Sequence, residues 1–286
     1  MDHVYKVDHF TVPGETQGCL EYNIKCGGKG VNQAIAMAFA GNDTYFAGII
    51  GSDSGLLKDV HIDYMKISNK PTGHAIIEVD QSGQNHILLY GGTNKEIDFE
   101  YIDEVLSHFS KGDIVVLQNE INNVPYIIER CYEKEMKSFF NAAPYDIAVK
   151  NYPIEKVTWL VVNETEGAAL SNEEDYEKII QTLKQKYPHT HILFTMGKEG
   201  SRAYYKNFRV EQPGFTVKAI ETTGAGDTFC GCSINGVLKY GLDNLDEAKL
   251  KEILTYANAG AALITMKKGA IRSMPEPENI KELIGK

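Results

Sequence analysis

The sequence lacks long hydrophobic runs, paired cysteine motifs and clusters of basic residues, and each absence argues against a class of protein. No apolar run approaches the ~18 residues of a membrane span, and no signal peptide is recognisable. The five cysteines include no CxxC pair, which predicts reduced thiols in a cytoplasmic protein. The net charge of −10 comes from 39 acidic and 29 basic residues, so we expect neither nucleic acid nor a membrane as partner.

The composition and patterning predict an α/β protein. A chain of 286 residues with 43% hydrophobic residues can form one large domain, so we expect a single domain over 1–286. From about residue 98 to 265, short apolar runs alternate with amphipathic stretches. The runs suited to buried strands are 113–118, 137–141, 159–163 and 191–195. This alternation predicts a parallel sheet covered by helices on both faces, with ligands bound at the carboxyl ends of its strands.

The first ninety residues have a different pattern. Residues 72–80 and 85–90 are two strand-like runs joined by a polar, glycine-containing turn, which predicts a hairpin. Residues 15–26 also have an extended pattern. We therefore expect a small sheet that forms a lid on the main body. The expected boundaries are about 3–30 and 71–95 for the lid, and 31–70 and 96–286 for the α/β body.

The most informative stretch is the sequence ETTGAGDTF at 221–229. It is typical of a strand end, a tight glycine turn and a helix that opens on Asp227. Helix starts leave backbone N–H groups unpaired and carry partial positive charge, so they bind anions. Gly224 and Gly226 would let a phosphate approach this backbone closely. Asp227 would then lie where an attacking hydroxyl meets a transferring phosphoryl group, which indicates a kinase for a small hydroxylated molecule.

A second glycine motif, GGKGVNQA at 27–34, leads into a predicted helix over 31–40 that ends at Gly41. Its glycines permit close approach of a ligand, while Lys29 and Asn32 offer donors to hydroxyls or phosphate. A purely structural helix entry is the alternative. The motif has neither the spacing of a Walker A loop nor the acidic residue of a dinucleotide fingerprint.

Three further positions follow predicted strands. Asn163 and Glu166 in the sequence NETE could organise Mg²⁺ near phosphates, or simply cap the next helix. The turn TMGKEG at 195–200 could meet a ligand or be an ordinary hairpin entry. Glu120 could bind a hydroxyl or cap the next element.

The glycine motifs GGKGVNQA and TTGAGDTF, with NETE and TMGKEG between them, resemble the ribokinase-like (PfkB) carbohydrate kinases over essentially the whole chain. The resemblance implies a three-layer α/β/α sandwich with a small β-sheet lid that forms a homodimer surface. It implies ATP and Mg²⁺ as phosphoryl donor and cofactor. A furanose sugar would be the acceptor, with ribose converted to ribose 5-phosphate as the expected reaction.

The resemblance also implies roles for individual residues. Asp227 would be the base that takes the proton from the primary hydroxyl of the sugar. The amides that form the anion hole would be those of Gly224, Ala225, Gly226 and Asp227. The residues expected at the sugar are Asp2, Gly28, Lys29, Asn32, Glu120 and Asp227. Those expected at the nucleotide are Asn163, Thr195, Gly197, Gly200 and Asn258. Glu166 would support Mg²⁺ through water.

The chain departs from this family pattern at three places. Family members begin with an apolar strand before the Asn-x-Asp turn, and Met1-Asp2 matches only the end of that turn. We therefore expect the first strand of the central sheet to be absent or replaced. The helical segment around 55–60 is shortened. Glu221 replaces an aspartate that, with Thr223, Gly269 and Ser273, would hold an activating K⁺.

Two alternatives to a ribose kinase remain at this stage. One is a kinase of the same family for another sugar, a nucleoside or a sugar phosphate. The other is a non-catalytic descendant that binds a sugar or nucleotide.

Overall fold

The structure, a computed structural model, describes residues 1–53, 60–267, 269 and 273–285. In chain order the strands are β1 (Asp2–Lys6), β2 (Glu21–Lys25), β3 (Gly48–Gly51), β4 (Met65–Ser68), β5 (His74–Val79), β6 (Asn85–Tyr90), β7 (Ile114–Gln118), β8 (Lys137–Asn141), β9 (Trp159–Asn163), β10 (His191–Thr195), β11 (Gly200–Tyr205) and β12 (Phe208–Pro213). The helices are α1 (Lys29–Phe39), α2 (Phe99–Ser107), α3 (Val124–Glu133), α4 (Glu164–Ser171), α5 (Tyr176–Lys186), α6 (Ala225–Tyr240), α7 (Glu247–Thr265) and α8 (Pro277–Ile284).

The strands form three sheets. The central sheet has six strands in the order β12-β11-β10-β9-β8-β7, and β7 to β10 run parallel. A four-stranded sheet has the order β2-β1-β5-β6, in which β5 and β6 form the predicted hairpin. Strands β3 and β4 form a separate parallel pair. No helix in the described ranges is long and apolar enough to cross a membrane.

Alternating side chains of the central strands enter two different cores, which produces the predicted three layers. Phe140 and Leu160 pack against α2 to α5 on one face. Phe139 and Trp159, their neighbours in sequence, pack against α6 and α7 on the other face. Because both faces are buried, the strands are apolar at nearly every position, and this is why the runs at 113–118, 137–141, 159–163 and 191–195 predict them well.

Two sequence predictions about element boundaries are wrong. The expected strand end before Gly224 is not formed, because residues 214–223 contain no strand. The amides of Ile220 and Glu221 instead donate to the carbonyl oxygen of Thr265 at the end of α7, at 2.7 and 3.1 Å. Helix α1 begins at Lys29, earlier than predicted, and ends at Phe39; Gly41 follows its cap with a φ of 92°.

The prediction that the central sheet lacks a strand from the start of the chain is confirmed for the part of the chain that the structure describes. Strand β7 is the edge of that sheet, and β1 pairs with β2 and β5 in the four-stranded sheet. The segment predicted to be shortened, 55–60, lies outside the described residues except for Val60.

Candidate active site

The candidate site lies where the first turns of α1 and α6 meet. The two helices approach closely because Gly231 has no side chain: a Cβ atom there would lie 2.5 Å from the Cβ of Ala36. This packing brings the glycine motif that opens α1 beside the glycine turn that opens α6. Two regions about 195 residues apart in sequence are thereby joined.

Asp227 is the centre of this junction and is only 6% exposed. Its two carboxylate oxygens accept hydrogen bonds from Asn32 Nδ2 and Gln33 Nε2, each at 2.9 Å. Gln33 in turn accepts from Gln118 Nε2 at 2.7 Å, which connects the carboxylate to the end of β7. Gln33 was not among the predicted site residues, although it follows Asn32 in the same motif. Its amide fixes the orientation of the Asp227 carboxylate.

The backbone at the start of α6 has free donors. Gly224 adopts a left-handed conformation with a φ of 83°, which turns the chain into the helix. The amide of Ala225 donates to the carbonyl oxygen of Thr222 at 3.2 Å. The amides of Gly226 and Asp227 have no protein acceptor among the described residues. A Cβ at Gly226 would have no atom within 4 Å, so a ligand has room to reach these amides.

The carboxylates of Asp2 and Glu120 lie beside the residues that open α1. Glu120 accepts a hydrogen bond from the Lys29 amide at 2.8 Å. The carboxylate of Asp2 lies against Gly27, where a Cβ would come within 2.0 Å of its oxygen. Gly28 has a φ of 111°, which favours glycine. Burial raises the pKa of both Asp2 and Glu120.

Lys29 supplies positive charge to this cleft. Its ammonium group forms no ion pair with any described residue. Burial raises the pKa of Glu120 and of Glu166, and this is the largest effect on both carboxyl groups. The positive charge of Lys29 acts in the opposite direction and lowers both pKa values. An ammonium group on the first residue of α1 that forms no ion pair with a described residue suits a ligand that carries phosphate.

Asn163 and Glu166 form a complete capping box at the start of α4. Asn163 Oδ1 accepts from the Glu166 amide at 2.8 Å, and Glu166 accepts from the Asn163 amide at 3.0 Å. The alternative prediction for this pair, that it caps the next helix, is therefore confirmed. Burial raises the pKa of Glu166, which is 7% exposed.

The turn after β10 is a hairpin that connects it to β11, as the structural alternative for this stretch proposed. Thr195 ends β10, and Gly197 and Gly200 have positive φ angles of 52° and 111°. A Cβ at Gly200 would lie 2.2 Å from the carbonyl oxygen of Gln212, so glycine is required there. Asn258 donates to that same carbonyl and accepts from a serine hydroxyl of β11. The Asn258 side chain therefore fixes the ends of β11 and β12 rather than facing an open surface.

The residues expected at a monovalent cation are partly brought together. Glu221 Oε2 accepts a hydrogen bond from the Gly269 amide at 3.0 Å, and Ser273 is buried nearby in sequence. Thr223 lies between Glu221 and the glycine turn. In the described ranges no group of three or more His, Cys, Asp or Glu side chains is placed to hold a metal ion.

Comparison with known proteins identifies the class of this fold and site. The family model described as "pfkB family carbohydrate kinase" matches residues 1–277. The chain is similar to the ribokinase of Staphylococcus aureus, with 33% identity over 99% of this chain and 96% of the relative. It is similar to the ribokinase of Haemophilus influenzae, with 30% identity over 99% and 95%. It is therefore a phosphotransferase that acts on a sugar hydroxyl.

Solved structures agree with this class. The fold is similar to Arabidopsis thaliana ribokinase complexed with ribose and ATP, with a TM-score of 0.85, 27% identity and coverage of 99% of this chain and 95% of that one. It is similar to Thermotoga maritima ribokinase, with a TM-score of 0.82, 30% identity and coverage of 100% and 96%. The chain belongs to the pfkB family of carbohydrate kinases.

Proposed function

We propose that the protein transfers the γ-phosphoryl group of ATP to the primary hydroxyl of ribose and releases ribose 5-phosphate and ADP. The observation that carries the proposal is the buried Asp227 carboxylate, held by two side-chain amides beside the free first-turn amides of α6. Ribose and ATP are named because a similar structure is a ribokinase complexed with both.

The geometry supports a division of roles at the site. Asp227 accepts the proton as the sugar oxygen forms a bond to the γ-phosphorus, and the bond from that phosphorus to the β–γ bridging oxygen breaks. The amides of Gly226 and Asp227 stabilise the charge on the transferring group. Ala225 contributes less than its neighbours because its amide already donates to Thr222. Lys29, at the sugar site, neutralises part of the negative charge of the transferring phosphoryl group.

Asp2, Gly28, Asn32 and Glu120 are the proposed sugar contacts. Asn32 Oδ1 is buried without a hydrogen-bond partner among the described residues, and such an acceptor fits a sugar hydroxyl. Lys95, a cation of the same region, donates to the Glu120 carbonyl oxygen. The cleft therefore places the buried carboxylates of Asp2 and Glu120 at the proposed sugar site, and these favour a neutral sugar over a sugar phosphate.

The nucleotide is proposed to lie along the carboxyl ends of β9 and β10, near Asn163, Thr195, Gly197 and Gly200. Asn258 acts there by holding the ends of β11 and β12 in place.

Mg²⁺ would screen the phosphate charge and would be held through water by Glu166, whose carboxylate is a hard oxygen ligand. K⁺ would bind at Glu221, Thr223 and Ser273 as an activator. We propose a cytoplasmic location and a homodimer.

The test is ADP release from Mg·ATP with D-ribose, with and without K⁺, for the wild type and Asp227→Ala. We expect ribose-dependent release that falls about 10²–10⁴-fold in the variant, because a general base contributes that much. Ribose binding, measured by calorimetry, should change little. Turnover retained by Asp227→Ala would remove Asp227 as the base, and release with another sugar but not ribose would reassign the substrate.

A further inference from the structure

A buried carboxamide at the end of β8 takes no part in the site described above. Asn141 is the last residue of this strand and is only 7% exposed. Its Oδ1 accepts a hydrogen bond from the Ala143 amide at 3.2 Å. Its Nδ2 has no acceptor among the described residues, yet it is not one of the fully enclosed side-chain atoms that lack a partner. A buried donor that stays open in this way is suited to a ligand.

The register of the central sheet shows which way the Asn141 side chain points. Asn141 pairs with Gln118 of β7 and with Val161 of β9, so these three side chains lie in one row on the same face. Val161 belongs to the core that the sheet forms with α6, as does Phe139, two residues before Asn141. The Asn141 side chain therefore points to the side of the sheet on which α6 and Asp227 lie.

Asn141 also lies between the two halves of the site. Strand β8 is placed between β7, which precedes Glu120, and β9, which precedes Glu166. Burial raises the pKa of Glu120 and of Glu166 and is the largest effect on both. The charges of Lys29 and Asp227 also act on both carboxyl groups. These two charged groups are therefore within electrostatic reach of both halves, and β8 is the strand between them.

The neighbour of Asn141 in its row already contributes to the site. Gln118 Nε2 donates to Gln33 Oε1 at 2.7 Å, and Gln33 Nε2 donates to Asp227 at 2.9 Å. Adjacent strands lie about 4.8 Å apart, so the Asn141 carboxamide is one strand away from this chain of amides. Gln118 uses its donor within the protein, whereas Asn141 leaves its donor for a ligand. A phosphoryl oxygen is the acceptor that the kinase reaction brings there, and hydrogen bonds to charged acceptors are the strong ones.

We propose that Asn141 Nδ2 donates a hydrogen bond to the γ-phosphoryl group of ATP, an inference that rests on the kinase function proposed above. The amides of Gly226 and Asp227 would contact this group from the helix side, and Asn141 from the sheet side. The hydrogen bond from Ala143 holds the carboxamide in place, so the donor is oriented before the ligand binds. Because the carboxamide is uncharged, it does not compete with the Asp227 carboxylate for the proton of the sugar.

The first test is Asn141→Asp, which keeps an oxygen for the Ala143 amide but replaces the donor with a charged acceptor. Calorimetry measures the affinities for a non-hydrolysable ATP analogue, for ADP and for ribose, each with Mg²⁺. We expect at least about ten-fold weaker binding of the analogue, because only the analogue carries a γ-phosphate. The affinities for ADP and ribose should stay unchanged. The kcat with ribose should fall about 10²–10³-fold, the loss typical of one such donor.

Two further variants separate the donor from charge and from structure. Asn141→Ser adds no charge, and its hydroxyl can still accept from the Ala143 amide but is too short to reach the phosphoryl group. We expect the same selective loss of affinity for the analogue. Asn244→Asp is the charge control, because Asn244 is exposed beyond the opposite end of α6. It should leave all three affinities and kcat unchanged.

A purely structural Asn141 gives different results. Both variants keep an acceptor for the Ala143 amide, so their kcat would be normal, or a distorted fold would weaken all three ligands together with a lower Tm. Either result overturns the inference. If the wild type binds the analogue and both variants bind it equally well, this inference fails and the kinase function stands. If the wild type binds neither the analogue nor ADP, the proposed function itself fails.

Discussion

At the scale of single residues, the orientation of the Asp227 carboxylate depends on Gln33. Gln33→Ala removes the donor to Asp227 Oδ1 and the acceptor for Gln118. A carboxylate free to rotate is a poorly positioned base, so we expect kcat to fall by up to about 10²-fold with a smaller change in the KM for sugar. Steady-state kinetics beside the exposed control Gln81→Ala would measure this. An unchanged kcat would show that Asn32 alone positions the base.

The second prediction at this scale concerns the buried carboxylate of Glu120. Burial raises its pKa above the ordinary value of 4.5. In the pH window between the pKa of the unfolded state and that of the folded state, the folded protein keeps a proton on Glu120 that the unfolded chain releases. Stability contributed by this group is therefore lost as pH rises through the window, and ionised Glu120 destabilises the fold at neutral pH. Glu120→Gln keeps an acceptor for the Lys29 amide but removes the charge.

We expect Glu120→Gln to have a Tm at pH 7 equal to or above that of the wild type, and the two Tm values to converge in acid. The KM for sugar should rise about ten-fold or more, since hydrogen bonds to a charged partner are the stronger ones. Thermal unfolding from pH 4 to 8 and kinetics at pH 7 would measure both. A lower Tm at pH 7 with unchanged KM would contradict the assignment of Glu120 to sugar binding.

At the scale of elements, the close approach of α1 and α6 assembles the site. Gly231→Ala would place a Cβ 2.5 Å from that of Ala36, far inside normal contact. Alanine is favoured over glycine in a helix by about 1 kcal/mol, but overpacking costs about 1–3 kcal/mol. We therefore expect net destabilisation and a lower kcat, because the shift separates Asn32 from Asp227. Gly18→Ala, with no atom within 4 Å of the new Cβ, is the control.

Denaturant unfolding and single-turnover kinetics would measure the effects of Gly231→Ala. A stable Gly231→Ala with normal kcat would show that the helices can move apart without harm to the site.

The elements that could be predicted from sequence are those with a strong local signal. Strands buried on both faces are apolar throughout, and the glycine motifs mark both helix starts. The conformation of 214–223 could not be predicted, because the amides of Ile220 and Glu221 donate to Thr265 at the end of a distant helix. The same holds for the hydrogen bonds that Gln33 and Asn258 form, because their partners lie 194 and 57 residues away in the chain. Local patterns carry no information about such pairings.

At the scale of the whole molecule, the four-stranded sheet is unusually exposed and apolar. Ile24 and Leu88 lie in one row across the four strands, on one face of the sheet, and are 54% and 57% exposed. Leu89, which is 69% exposed, points to the other face. Contiguous apolar patches of this kind mark interaction surfaces. The sequence predicts that this region is a lid through which two copies associate, and the exposed apolar side chains support that proposal.

Leu88→Lys is the sharpest test of the proposed homodimer, because Leu88 lies on the same face of the sheet as Ile24. If two copies pack through the four-stranded sheet, a buried, unpaired ammonium at the interface should shift the protein toward monomer, with a loss of affinity of about ten-fold or more. Ile147→Lys is the matched control, because Ile147 is 71% exposed but lies outside this sheet. Light scattering after size-exclusion chromatography would measure the mass of each variant. A wild-type monomer, or a Leu88→Lys dimer as stable as the control, would place the interface elsewhere or remove it.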